Sequence, residues 1–109
     1  MAFDERHAQI MRKALAGLQG VSEKRMFGGL CFLLNGNMLC GVHQAGGMAR
    51  VGKEQEAAAL GYEGVKPLSF TGRPMGGLVE LNDAAMNDKR LRAAVLKLAI
   101  NFVSALPAK

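Results

Sequence analysis

The chain has 109 residues, half of them hydrophobic, and a formal net charge of +5. That length fits one domain, residues 1–109, and holds neither the ~20-residue apolar stretch of a membrane-crossing helix nor, in its charged start Met1-Ala2-Phe3-Asp4-Glu5, the apolar core of a secretory signal. The 14 Lys and Arg residues are scattered with no run of five or six like charges, so the charge favours solubility and weak attraction to polyanions without marking a nucleic-acid footprint.

Residues 4–18 carry an amphipathic helical pattern. Asp4 can cap the N-terminus, with Glu5 in the first turn where the macrodipole favours it. His7, Ile10, Met11, Ala14, Leu15 and Leu18 fall at i, i+3, i+4 spacing on one face, and Gly17 and Gly20 end the helix.

From Lys24 the period changes. Met26-Phe27, Gly28-Gly29 and Leu30-Cys31-Phe32-Leu33-Leu34 read as a strand with a glycine break, the mark of a bulge or sharp bend. Asn35-Gly36 is a strong hairpin signal, because both residues tolerate the positive φ of a type I′ turn. The chain returns as Asn37-Met38-Leu39-Cys40-Gly41-Val42-His43, turns again at Gln44-Ala45-Gly46-Gly47, and continues as Met48-Ala49-Arg50-Val51-Gly52. This predicts a three-stranded antiparallel meander.

Residues 53–60 have a short helical pattern that exits at Gly61 and Gly64. Residues 65–70 read as extended, with Pro67 pointing to a sheet edge. Residues 71–77 form a tight connection, and Leu78-Val79-Glu80-Leu81 reads as a fifth strand. Residues 82–87 connect to a final helix over 88–105, capped by Asn87 or Asp88. Its buried stripe is Leu91, Val95, Leu98, Phe102 and Val103, and Pro107 prevents its continuation. The order α-β-β-β-α-β-β-α places the chain in the α+β class, an antiparallel sheet with flanking helices. With no Trp and seven Met, the core draws on Met, which fills irregular gaps but specifies packing weakly.

A two-residue turn at Asn35-Gly36 puts Leu34 opposite Asn37, Leu33 opposite Met38, Phe32 opposite Leu39 and Cys31 opposite Cys40. The last pair falls at a non-hydrogen-bonded position with Cα atoms ~4.5 Å apart, at the short end of disulfide geometry. Cys31 and Cys40 are therefore either a cross-strand thiol pair or two reduced, buried, apolar residues, as a cytoplasmic location favours. The spacing Cys31–Cys40–His43 lacks a CxxC element and a fourth ligand, so no metal is expected. Cys40 and His43, three apart on a strand, face opposite sides and make a poor nucleophile–base pair. No serine lies in a G-x-S-x-G setting, and the acidic residues are dispersed. The glycine pairs at 28–29, 46–47 and 76–77 fit neither phosphate-loop pattern and read as turns or bulges. Arg25, Arg50 and Arg73 flank these turns, either to bind an anion together or each to fix its own turn.

Taken together, Lys24-Arg25-Met26-Phe27-Gly28-Gly29, Phe32 with Asn35-Gly36 and Met38, Arg50-Val51-Gly52, Phe70-Thr71-Gly72-Arg73-Pro74-Met75-Gly76-Gly77, and Ser104-Ala105-Leu106-Pro107 with Lys109 resemble the N-terminal domain of the TfoX/Sxy proteins over nearly the whole chain. The resemblance implies a sheet of a three-strand and a two-strand part, flanked by helices. It also implies a link to natural competence in bacteria, where two-domain members assist transcription of DNA-uptake genes. This chain would be a single-domain member. Arg25, Met26, Phe27, Gly28, Gly29, Arg50, Gly52, Arg73, Pro74 and Met75 are the motif and interaction residues this suggests, a set better suited to a shape than to an active site.

Three functions follow as expectations. The first is a non-enzymatic regulatory or interaction module, without cofactor, that meets a protein partner or a second copy through a sheet edge or a Met-rich face (Met26, Met38, Met48, Met75). The second is nucleic-acid binding through the scattered basic residues. The third is a small-anion or metabolite site near Arg50 and Arg73.

Overall fold

The computed structural model describes residues 3–26, 28–44, 46–69 and 74–108, with the side chains of Met26, Ser69, Pro74 and Met75 outside the description. Asp4 starts the first helix, α1 (Glu5–Ala14), by accepting a hydrogen bond from the Arg6 N–H at 2.9 Å. Ala8, Met11 and Leu15 form its buried stripe, joined by His7. The helix closes several residues before Leu18, because the chain must reverse through Gly20, whose φ is +85°.

Six antiparallel strands follow: β1 (Val21–Met26), β2 (Gly29–Leu34), β3 (Asn37–His43), β4 (Gly46–Arg50), β5 (Val65–Ser69) and β6 (Pro74–Leu81). They lie side by side in the order β1-β2-β3-β4-β6-β5. The α+β class and the alternation of helical and extended blocks are those expected from the sequence. The glycine break at 28–29 proves to be a full reversal, so the first extended stretch supplies two strands and the meander has four. The first of them carries no apolar alternation, because Ser22, Glu23, Lys24 and Arg25 are all exposed. An edge strand bonded on one side has no need of apolar alternation. Pro67 sits on the opposite edge strand, where its missing N–H costs no ladder bond.

Between β4 and β5 lie a 3₁₀ turn (Lys53–Gln55) and a short helix, α2 (Glu56–Leu60). The connection read at 82–87 contains a further short helix, α3 (Asp83–Asn87), which Asn82 caps by accepting from Ala85 N–H at 2.8 Å. The last helix, α4 (Lys89–Ser104), is capped by Asp88, whose carboxylate accepts from Leu91 N–H at 3.1 Å. It packs across β3 and β4, while α1 lies on β3 and α3 on β4. Among the described residues no helix is long and apolar enough to cross a membrane.

The central strands are buried on both faces. Leu30, Phe32, Val42, Ala49, Val79 and Leu81 point into the main core with Met11, Met86, Val95, Ala99 and Val103. On the other face Cys31, Met48 and Leu68 form a second cluster, flanked by Met38 and Leu78. Met48 is wholly buried and Met38 partly so, so these two methionines fill space instead of presenting an exposed face; those of Met26 and Met75 lie outside the described residues.

The hairpin turns where expected, with φ of +52° at Asn35 and +85° at Gly36. Leu34 faces Asn37 and Leu33 faces Met38, as counted from the turn. The ladder then slips: Phe32 faces Cys40 and Cys31 faces Gly41, leaving Leu39 as the extra residue of a bulge. This corrects the expected Cys31/Cys40 pair. The bulge lets Leu39, Cys40 and Val42 all join the main core, and Cys31 is left on the other face. Both cysteines are free and buried.

Candidate ligand cleft

The end of β4, the segment after it and the start of β6 meet the C-terminal half of α4 around an open cleft of about 650 Å³. Its floor is made of backbone. Gly77 O accepts hydrogen bonds from Val51 N–H at 2.9 Å and Gly52 N–H at 3.1 Å. The Gly77 N–H donates to Glu56 Oε1 at 2.6 Å, which ties α2 to the same point.

Two glycines permit this closeness. Gly52 has φ +85°, and a Cβ there would stand 2.5 Å from the Phe102 ring. Gly77 has φ +81°, and a Cβ there would stand 3.1 Å from the Gly52 carbonyl carbon. Any larger residue at either position is strained in backbone conformation and meets backbone or ring atoms.

The cleft mixes charge with apolar surface. The Arg50 guanidinium lies over the Phe102 ring, 5.5 Å from its centroid, a distance at which the ring quadrupole attracts the cation. Lys53 lies across Gly76, where a Cβ would stand 3.0 Å from Lys53 Cε. Leu98, Phe102 and Leu106, all half-buried, and exposed Ala105 make the apolar wall. The helical spacing predicts Leu98 and Phe102 in the buried stripe of α4. They instead flank it, and Val95, Leu96, Ala99 and Val103 are the residues fully buried.

Arg25 and Arg50 do not converge. They sit on β1 and β4, three strand spacings or roughly 14 Å apart across the sheet. Arg25 covers the Phe3 ring at 5.7 Å, whereas Arg50 covers Phe102. Arg73 and Phe27, together with the side chains of Met26, Pro74 and Met75, lie outside the described residues. Gly28, with φ +72°, lies in the β1–β2 turn, and Gly29 opens β2 opposite Met26. Among the described interaction residues singled out in the sequence, Arg50 and Gly52 line the cleft, and Val51, Gly76, Gly77, Ala105 and Leu106 come to it from the segments that carry the family resemblance. Lys53 and Phe102 join them; Lys53 carries no local signal, and Phe102 is legible in the chain only as part of the apolar stripe of α4.

The titratable groups elsewhere are dispersed. His7 Nε2 meets Asp83 Oδ1 at 2.7 Å, joining α1 to α3. His43 Nε2 is 3.6 Å from Glu80 Oε2, and Glu80 in turn lies 3.7 Å from Lys66 Nζ. Burial lowers the His43 pKa, offset in part by Glu80. Burial pushes both thiols up, Cys40 strongly, which suppresses the reactive thiolate. Cys40 points into the main core, and the strand alternation turns His43 away from it. Among the described residues no three His, Cys, Asp or Glu side chains are grouped to hold a metal ion.

A smaller groove of about 300 Å³ lies between the end of α1 and α4, rimmed by Lys89, Arg92 and Lys97 over Ala93 and Leu96. Arg92 is partly committed, donating to Met86 O at 2.6 Å.

The family model described as the TfoX N-terminal domain matches residues 13–103, most of the chain. The chain belongs to that family. No curated protein and no solved structure matches it. The matched TfoX segment begins late in α1 and ends within the last turn of α4, so it contains the whole sheet and every cleft residue up to Phe102.

Proposed function

We propose that this TfoX-type domain is a non-enzymatic regulatory module of the bacterial cytoplasm that acts by binding, in a process linked to transcription such as competence. The observation that supports this reading is the cleft itself. Its volume falls in the range of ligand sites, its floor is held by backbone hydrogen bonds, and its described polar lining sets two cations, Arg50 and Lys53, and two amides, Gln55 and Asn101, against one carboxylate, Glu54. A cation stacked on a ring recognises and holds an anion but supplies no nucleophile or base of its own.

The test is a comparison of transcripts in cells lacking the gene and in cells complemented with the wild type or with Ala105→Trp, which fills the cleft from an exposed position. A coherent transcript set restored by the wild type but not by Ala105→Trp supports the reading. Unchanged transcripts on deletion count against it.

Nucleic-acid binding is a second reading, supported by the groove rimmed by Lys89, Arg92 and Lys97. If about five phosphates are neutralised, log K falls with log[salt] at a slope of roughly −4 to −5. No binding at ~50 mM salt removes this reading.

A further inference from the structure

Resting on the reading of the cleft as a binding site, we infer that its ligand is a small organic monocarboxylate: one anionic head on an apolar body. Charge count sets the head. Among the described residues of the lining, Arg50 and Lys53 bring two cations against one carboxylate, Glu54. The Glu56 carboxylate, accepting from the Gly77 N–H, keeps its negative charge beside the floor. Two cations offset in this way suit a monoanion better than a phosphate monoester, which carries close to two negative charges near neutral pH.

Geometry sets where the head sits. One face of the Arg50 guanidinium is turned to Phe102, so its N–H edge is the part left to meet a carboxylate, in the planar fork that suits two oxygens. The backbone of the floor cannot take that role: the N–H groups of Val51, Gly52 and Gly77 are all donating within the protein. The body of the ligand then lies along Leu98, Phe102 and Leu106, the half-buried apolar wall of the cleft. A volume of about 650 Å³ accommodates a body of small-molecule size.

The experiment follows backbone amide signals of the ¹⁵N-labelled chain by NMR while octanoate or 4-phenylbutyrate is added, each beside its uncharged primary amide. A hexapeptide with an apolar C-terminal residue and a free carboxylate is titrated in parallel. The acids are expected to shift the amides of Gly52, Lys53, Gly76 and Gly77 and to bind at least about tenfold more tightly than their amides, the effect of one charge-assisted hydrogen bond. Arg50→Gln should weaken the acids by a similar factor while leaving the amides unchanged. Ala105→Trp should block all of them with the rest of the spectrum retained.

Equal affinity of acid and amide at the cleft overturns the monocarboxylate inference and leaves the cleft as a binding site. Tighter binding of the peptide than of either acid overturns it in favour of a chain terminus. No perturbation of the cleft amides by any probe at ~10 mM, a concentration that detects even weak complexes, overturns both the inference and the reading beneath it. The acid–amide comparison needs the wild type alone, so it stands even if Arg50→Gln fails to fold.

Discussion

Cys40 lies directly opposite Phe32, and Cys31 lies opposite Gly41. The bulge at Leu39 thus carries the two thiols to opposite faces of the sheet, Cys40 into the core under the helices and Cys31 beside Met48 and Leu68. Both are fully buried. A cross-strand disulfide would require the ladder to slip back by one residue, which would move a run of apolar side chains to the wrong face.

Two free thiols are therefore expected in the native protein even after mild oxidation. They should label with a thiol reagent only as fast as the protein opens, because burial raises both pKa values. Labelling within seconds under native conditions would show the burial to be wrong. Cys40→Ser should cost about 1–3 kcal/mol, since it places a hydroxyl in an apolar setting; urea unfolding measures this.

Gly52→Ala should destabilise by at least about 1–2 kcal/mol from the left-handed backbone alone, with more from the displaced Phe102 ring. The two contributions separate in a double-mutant cycle. In a Phe102→Ala background the ring is gone and Gly52→Ala should cost less. Equal costs in both backgrounds would mean that the ring does not press on Gly52.

Glu56→Gln tests the tie between α2 and β6. A carboxylate accepting the Gly77 N–H at 2.6 Å is a charge-assisted bond, and a neutral amide oxygen is a weaker acceptor of the same shape. A loss of about 1 kcal/mol is expected, read as a lower denaturant midpoint with an unchanged slope. A stability equal to wild type would place Glu56 in solvent.

The pH dependence has a definite sign at His43. Burial lowers its folded pKa, against the smaller opposing effect of Glu80, and His7 adds a further lowering. The unfolded chain then binds a proton more readily than the folded one, so stability falls as pH drops through the ordinary histidine range and levels off below the folded pKa. His43→Gln should flatten that part of the curve. Asp4 acts at lower pH: the Arg6 side chain and backbone hydrogen bonds lower its pKa from 3.8 to about 2. Its contribution to α1 is present above pH 3.8 and lost as pH falls towards 2. Circular dichroism across pH 2–8, for wild type and for His43→Gln and Asp4→Asn, checks each segment.

Much of the fold was legible in the chain because it depends on local chemistry. Asp4 and Asp88 announce two helices through their caps, Asn35-Gly36 announces a hairpin, and Pro67 announces an edge. The order of blocks and the family follow from the same residues. What the chain alone left open depends on contacts between residues far apart in it. The bulge at Leu39 is decided by which apolar side chains the helices can cover, and the strand Val21–Met26 by its pairing with β2, since Ser22, Glu23, Lys24 and Arg25 in its middle are polar. The cleft is decided in the same way. Arg50 and Phe102 are 5.5 Å from guanidinium to ring centroid although one comes from the middle and the other from the end of the matched segment, because α4 packs back across β4. Local propensity fixes a turn or a cap within a few residues, but only the closing of the core brings distant groups into one site.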